Sequence, residues 1–415
     1  MNILFKGLSL ACIALSLNAS TLKEIIQSTL QNNENLKAQN LQTKAKQKTY
    51  QSVKNIYNPN LNVGANYTRL DLDTRAVQVG TTATAFLKLN INLYDGGKNK
   101  ALKRQKFYEY ESSRYLNTND KKQTLLNVVT LFFQAKTVIE NIKVFEEKSK
   151  LLKAEYERVK DRYNLKMATI DEVLKLQSEY EANKYTIEEL KYQKTELLKN
   201  LSLLTGEKIT NLDNSHLPEV KNLSYTQSSN IKALELSLKA TQENINITSS
   251  IKKPQVKLED SLNYFKYYNY NEKLLPDLPT KQNQFSLTLT YNLFDTSSKE
   301  KIESAKLIKL ASATKLSYAK KQEKMEFDLA KQKLKTQVLK LQSLKSTVEM
   351  GNSVYKIVKT KYNNGVVDNI TYLDALNKKI YNEALYRQAL NDYEIAKANY
   401  YFKSGIDYKK VIKKF

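Results

Sequence analysis

Two periods of hydrophobic spacing alternate along this chain. Leu22, Ile25, Ile26 and Leu30 recur at helical spacing, so residues 21–55 read as one polar helix ending at Asn58-Pro59. The period then drops to two. Leu61, Val63, Ala65 and Tyr67 alternate with Asn62, Gly64, Asn66 and Thr68. Beyond a polar loop with Asp71, Asp73, Arg75 and Gly80, Ala85, Leu87, Leu89, Ile91 and Leu93 alternate with Phe86, Lys88, Asn90, Asn92 and Tyr94. Strands are predicted near 59–70 and 84–94. The same pair returns near 254–268 and 283–294, with Pro276 and Pro279 in the loop between.

Between the strand pairs the helical period dominates. Leu125, Val128, Phe132, Ala135, Ile139 and Ile142 step by threes and fours, as do Val173, Leu176, Tyr180, Asn183, Ile187 and Leu190. Phe327, Ala330, Leu334, Gln337, Leu341, Leu344 and Val348 form a matching seam. A spacing averaging ~3.5 predicts coiled-coil packing. Lys98 to Thr205 contains neither Gly nor Pro, nor does Thr280 to Met350. The run from Lys98 to about Lys160 predicts a rod on the order of 90 Å at ~1.5 Å per residue. Reversals are expected at Tyr163-Asn164-Leu165-Lys166-Met167 and at Tyr362-Asn363-Asn364-Gly365. Gly365 suits a left-handed position, and Asp368 or Asn369 suits a helix N-cap. Gly206 and Gly405 are expected to end the returning helices, and Asp95 and Asp295 to cap the helices that follow strands. Gly351, inside a helix, points to close packing or a local irregularity.

Everything is said twice, half a chain apart. Leu93-Tyr94-Asp95 returns as Leu293-Phe294-Asp295, and Leu204-Thr205-Gly206 as Lys403-Ser404-Gly405. The domain reading is therefore a signal peptide over 1–20, a first repeat over 21–206, a linker over 207–224, a second repeat over 225–405 and a tail over 406–415. Lys6, the apolar run Leu8 to Leu17 and the small residues near Ala19 carry the signal reading. Cys12 is the sole cysteine, and Ser9-Leu10-Ala11 fits a lipobox poorly.

Charge changes the picture little. The 67 Lys+Arg against 43 Asp+Glu leave a net +24, spread along helices and interleaved with Glu. Attraction to anionic lipid or nucleic acid competes with a Lys-rich solvated surface, and the even spread favours the latter. No nucleic-acid partner is expected. No Gly-rich phosphate loop or His/carboxylate metal spacing is present, and the one histidine, His216, sits in the polar linker. No enzyme, metal or cofactor is expected.

The strands are apolar on one face and polar on the other, as in an outer-membrane barrel or in a half-buried soluble sheet. Four strands cannot close a barrel in lipid, so a membrane reading requires several chains. The ordered set of signal segment, tandem halves, strand pairs, long helices and tips resembles the TolC family of outer-membrane efflux channels. Its most specific pieces are Leu93-Tyr94-Asp95-Gly96-Gly97, Asn292-Leu293-Phe294-Asp295 and Tyr362-Asn363-Asn364-Gly365 leading to Leu373-Asp374-Ala375-Leu376. The resemblance implies a mainly α fold with membrane β. Three chains would complete a 12-stranded β-barrel continuous with a long-helix α-barrel, lodged in the outer membrane and reaching into the periplasm. It implies a passive duct for small molecules or proteins, partnered by a periplasmic adaptor and an inner-membrane transporter. At the entrance it points to Tyr362, Asp374, Asp368 and Asp171. The tips Asn164, Leu165, Lys166, Asn363, Asn364 and Gly365 are expected to dock the adaptor. Thr371 and Val367 stand where the family's second gate aspartate and closing arginine are usual. Asp374 is expected to line the constriction, against a competing reading as a helix-surface residue bonded to a neighbouring tip. The alternative function is a secreted coiled-coil structural protein without a pore.

Overall fold

The computed structural model describes residues 19–55, 59–71, 78–220 and 222–406. Most of the signal segment with Cys12, and Asn58, Asp73, Arg75 and the tail beyond Ile406, lie outside the described residues. Among the described residues seven α-helices and four strands follow in the order α1 (Leu22–Asn32), α2 (Glu34–Ser52), β1 (Asn60–Arg69), β2 (Thr81–Asp95), α3 (Lys98–Asn164), α4 (Ile170–Thr205), α5 (Ser229–Ser249), β3 (Gln255–Tyr268), β4 (Lys281–Thr290), α6 (Thr296–Asn363) and α7 (Asn369–Lys403). The fold is mostly helical with one sheet. The long helices α3 and α6 run for 67 and 68 residues without a break.

The single helix expected over 21–55 is two. Thr21 and Glu24 close a capping box on α1. Asn33 then leaves helical geometry and serves both neighbours: its Nδ2 donates to the Leu204 carbonyl, and its Oδ1 accepts the Leu36 amide of α2. A tertiary contact fixes this break.

Contacts divide the chain into two units, each drawing on both halves of the sequence. The first comprises residues 1–38, 118–228 and 322–415. Its core joins α1, α3 and α4 through Leu22, Ile26, Val128, Phe132, Phe133 and Leu201, and Phe132 and Phe133 meet edge to face. Asn183 on α4 donates to the Phe145 carbonyl of α3, Asn391 on α7 donates to Glu140 of α3, and Lys403 on α7 pairs with Glu326 of α6. The helices therefore lie side by side in the order α4, α3, α7, α6. Gly351 packs closely, since a Cβ there would stand 2.8 Å from Asn382 Nδ2.

The linker after α4 is fastened to α7 by buried charge. Lys397, 1 % exposed, donates to the Leu217 carbonyl at 2.8 Å and pairs with Glu394 at 2.9 Å. Glu394 in turn accepts the Leu217 amide.

The second unit comprises residues 39–117 and 229–321. Its helical order runs α2, α3, α5, α6. Thr43 meets Ser113, Arg104 holds Glu243 with two hydrogen bonds of 2.8 Å, and Lys320 pairs with Glu235. The sheet is antiparallel with strand order β1-β2-β3-β4. Its registers place Val63, Leu87, Leu262 and Asn283 in one row, and Leu61, Leu89, Asp260 and Phe285 in the next. These rows form one apolar face. Asn62, Lys88, Ser261 and Gln284 fall on the other, where Lys88 pairs with Glu259.

Two strand ends differ from expectation. β2 starts at Thr81 because the Gly80 amide already bonds Asn269 and its carbonyl accepts Leu70, which carries the pairing to the loop. β4 stops at Thr290, opposite Gln255, because the next amide of that chain facing β4, that of Lys253, already donates to the Ser250 carbonyl. Leu293 and Phe294 therefore lie beyond the strand and are exposed.

Candidate functional site

Both helix hairpins reverse through the same backbone device. After α3, Lys166 N donates to the Tyr163 carbonyl and Met167 N to the Arg162 carbonyl. After α6, Gly365 N donates to the Tyr362 carbonyl and Val366 N to the Lys361 carbonyl. Each is a Schellman turn with its pivot in the left-handed region: Lys166 at φ 59° and Gly365 at φ 71°. Glycine adopts that conformation freely, whereas a side chain there costs roughly 1–2 kcal/mol. Nothing stands within 4 Å of a Cβ built on Gly365, so strain alone opposes substitution. Gly365→Val is expected to speed amide exchange across residues 361–366, and Gly365→Asn to do so far less.

The expected entrance residues are distributed as follows. Asn164, Leu165, Lys166, Asn363, Asn364 and Gly365 are all exposed at the two turns, with Leu165, Met167 and Val366 presenting bare apolar surface. Asp368 is the N-cap of α7: one carboxylate oxygen accepts the Thr371 amide at 2.9 Å and its hydroxyl at 2.6 Å. These bonds, the hydroxyl's first, hold its carboxyl below the usual range. Asp374 is exposed and paired with Lys378 one turn on, at 2.8 Å. Asp171 is exposed in the first turn of α4, beyond Thr169, whose side chain makes no capping bond. Within the chain these carboxylates do not form one cluster.

Tyr362 is buried rather than presented. Its ring stacks on Tyr372 at 4.8 Å, and the Tyr372 hydroxyl lies 3.4 Å from that of Tyr355. Burial pushes the Tyr362 hydroxyl up to about 12 and raises that of Tyr372 further, so both stay neutral. Two cations lie against this cluster: Lys379 of α7, 5.1 Å from the Tyr355 ring centre, and one from the first half of the chain. Arg158 on α3 sits 4.9 Å from the Tyr362 ring centre and donates from Nη1 to Asn363 Oδ1 at 3.0 Å. Glu155 holds its other nitrogens. Val367, at the position where the resemblance implies a closing arginine, packs its side chain against the tyrosine cluster. The sequence offered one cue to Arg158: an arginine on a Lys-rich helix, the residue type suited to a planar, stacked contact.

His216 is solvent-exposed, with Nδ1 3.5 Å from Glu394. Among the described residues no group of three or more His, Cys, Asp or Glu is placed to hold a metal ion, and no helix is long and apolar enough to cross a membrane.

The family model described as outer membrane efflux protein matches residues 25–207, a stretch that contains β1, β2, α3, the first turn and α4. Over that stretch, a little under half of the chain, the sequence is similar to this family. No protein of curated function matches the sequence. The fold is shared across nearly the full length with solved channels of low identity. The Campylobacter jejuni CmeC outer membrane channel is 16% identical, with a TM-score of 0.82 and coverage of 100% of this chain and 98% of that one. The Vibrio cholerae outer membrane protein VceC is 13% identical, with a TM-score of 0.80 and coverage of 92% and 96%. A membrane protein from Pseudomonas aeruginosa is 18% identical, with a TM-score of 0.82 and coverage of 92% and 93%. The second half, outside the matched stretch, carries the same Schellman turn and helices of nearly equal length.

Proposed function

We propose that three copies close into one channel, each giving four strands to a twelve-stranded barrel in the outer membrane. The observation that carries this is the sheet itself. It has one apolar face, and among the described residues β1 and β4 each pair on one side only. Open strand edges are not tolerated in lipid, and pairing β4 with β1 of the next copy removes them all.

The helices support the same closure. In the first unit α4 and α6 end the row, and each bears an exposed apolar stripe. On α4 it is Ile170, Leu174, Tyr185, Tyr192 and Leu203; on α6 it is Leu329, Leu339, Met350, Val354 and Ile357. At about 100° per residue each set falls on one face of its helix. A head-to-tail contact of α6 with α4 of the next copy buries both, and such contacts close into rings.

The two halves act as repeats, and the duct passes small molecules or proteins without a chemical step. An inner-membrane transporter supplies the energy and a periplasmic adaptor docks on the tips, where Leu165, Met167 and Val366 offer apolar ends. The contact of Arg158 with Tyr362 and Asn363 ties the two hairpins of one protomer and holds the entrance narrow. The test is detergent-purified protein in a planar bilayer, with its mass measured in the same detergent. Discrete conductance from a trimer is expected. A monomer that is soluble without detergent supports the alternative, a poreless coiled-coil rod.

At the entrance, one Asp374 per chain becomes a ring of three that concentrates cations. Asp374→Asn is expected to lower cation preference and weaken block by multivalent cations in single-channel records. Unchanged selectivity in an intact trimer would leave Asp374 as the surface partner of Lys378.

A further inference from the structure

The apolar face of the sheet does not stay apolar to its end. Toward the loops that join β1 to β2 and β3 to β4, its last rows carry Arg69, Lys266 and Lys281. All three are exposed. They share the face, by register, with Leu87 and Leu262, not with the polar face of Lys88 and Glu259. Tyrosines stand among them. Tyr67 and Lys266 both flank Ala83, Tyr268 and Arg69 both pair with Thr81, and Tyr264 pairs with Lys281. Tyr67 and Tyr264 are well exposed, and the Lys266 ammonium lies 5.4 Å from the Tyr268 ring centre.

No described carboxylate lies within ion-pair distance of these three cations. Asp71, Glu272 and Asp277 belong to the loops beyond the rows. The contrast with the rest of the chain is clear, because its helical lysines are repeatedly paired with glutamates three or four residues away.

We propose that these three cations, on successive rows of one face, form a lipid-headgroup site. Arg69, Lys266 and Lys281 bind the phosphates of anionic lipid in the leaflet on the loop side, and Tyr67, Tyr264 and Tyr268 lie at the boundary between headgroup and chain. The proposal rests on the barrel reading above and adds the lipid chemistry to it. The physical reasons are three. Tyrosine is favoured where one end of the ring is apolar and the other wet. Long cationic side chains extend from an apolar face to reach a phosphate. Each cation near an anionic surface contributes attraction equivalent to about fivefold in binding.

The test uses full-length protein in detergent and two fluorescent lipids of equal chain length, phosphatidic acid and phosphatidylcholine. Anisotropy gives the ratio of their binding constants. The wild-type protein is expected to prefer phosphatidic acid. The triple variant Arg69→Gln, Lys266→Gln, Lys281→Gln should lower that ratio about fivefold for each cation removed. Lys257→Gln, on the opposite face, should leave it unchanged. Retention of the preference by the triple variant overturns the proposal, as does equal loss in Lys257→Gln. Full competition by millimolar inorganic phosphate also overturns it, because the site then binds a free anion. Planar-bilayer conductance of the same preparations separates the two readings. A conducting triple variant that keeps its lipid preference removes the headgroup site alone, whereas a non-conducting wild-type protein removes the barrel beneath it.

Discussion

Leu87→Arg is expected to prevent stable barrel formation. Leu87 lies mid-strand on the apolar face, in register between Val63 and Leu262. An arginine facing lipid near the midplane costs ~2–4 kcal/mol, and a ring of three chains carries it three times. The thermal midpoint of the detergent-solubilised oligomer should fall sharply, and cells should hold little folded channel. Leu289→Arg should be milder because Leu289 pairs with Val256 near the helix end of the strands, where depth is smaller. Asn90→Arg, on the polar face beside Glu259, should be milder still. Equal damage from Leu87→Arg and Asn90→Arg means that the faces are reversed. Asp260 sharpens the assignment: it stands on the apolar face between Leu89 and Phe285, and its Oδ1 is buried without a hydrogen-bond partner. Replacing it with Leu should raise the oligomer's midpoint.

Lys397→Met is expected to be as damaging for a different reason. The ammonium is 1 % exposed and answers Glu394, which is itself buried. Removing one member of such a pair strands the other's charge, at a cost of ~3–5 kcal/mol. The double variant Lys397→Met, Glu394→Met removes both charges and should recover part of the loss, although the Leu217 amide and carbonyl lose their partners. Urea midpoints of Lys397→Met, Glu394→Met and the double variant decide the matter. Two equal losses, with no recovery in the double variant, mean that the pair contributes packing rather than charge compensation.

The sequence was most legible where one short-range rule sufficed. Alternation assigned the faces of all four strands, because side chains in a strand have no choice but to alternate. Helix length was readable from the absence of Gly and Pro, and the caps at Asp95 and Asp295 from their place after a strand: Asp95 accepts the amides of Gly97 and Asn99, and Asp295 those of Ser297 and Ser298. Long-range choices were not legible. The break at Asn33 depends on a carbonyl at Leu204, 171 residues away. Helix α5 lacked a marked seam and was not singled out. Asp260 was hidden because Val256, Leu258, Leu262 and Tyr264 read as a strand with one position passed over. At the tips the turns were readable from Gly365, but the partner of Tyr362 was not. Arg158 lies in the other half of the chain, and no local pattern links the two.

The open edges of each protomer are not alike, and this has a consequence for inheritance. In the proposed trimer one edge of each protomer's sheet is β4 and the other β1, so every subunit must offer two different sound edges at once. A subunit damaged on either flank therefore spoils any ring it enters, and its healthy neighbours cannot compensate. When sound and damaged copies are made together and mix at random, the yield of intact rings falls as the cube of the sound fraction. A one-flank variant of this gene should thus behave as dominant over a co-expressed normal copy, whereas a null allele should be silent.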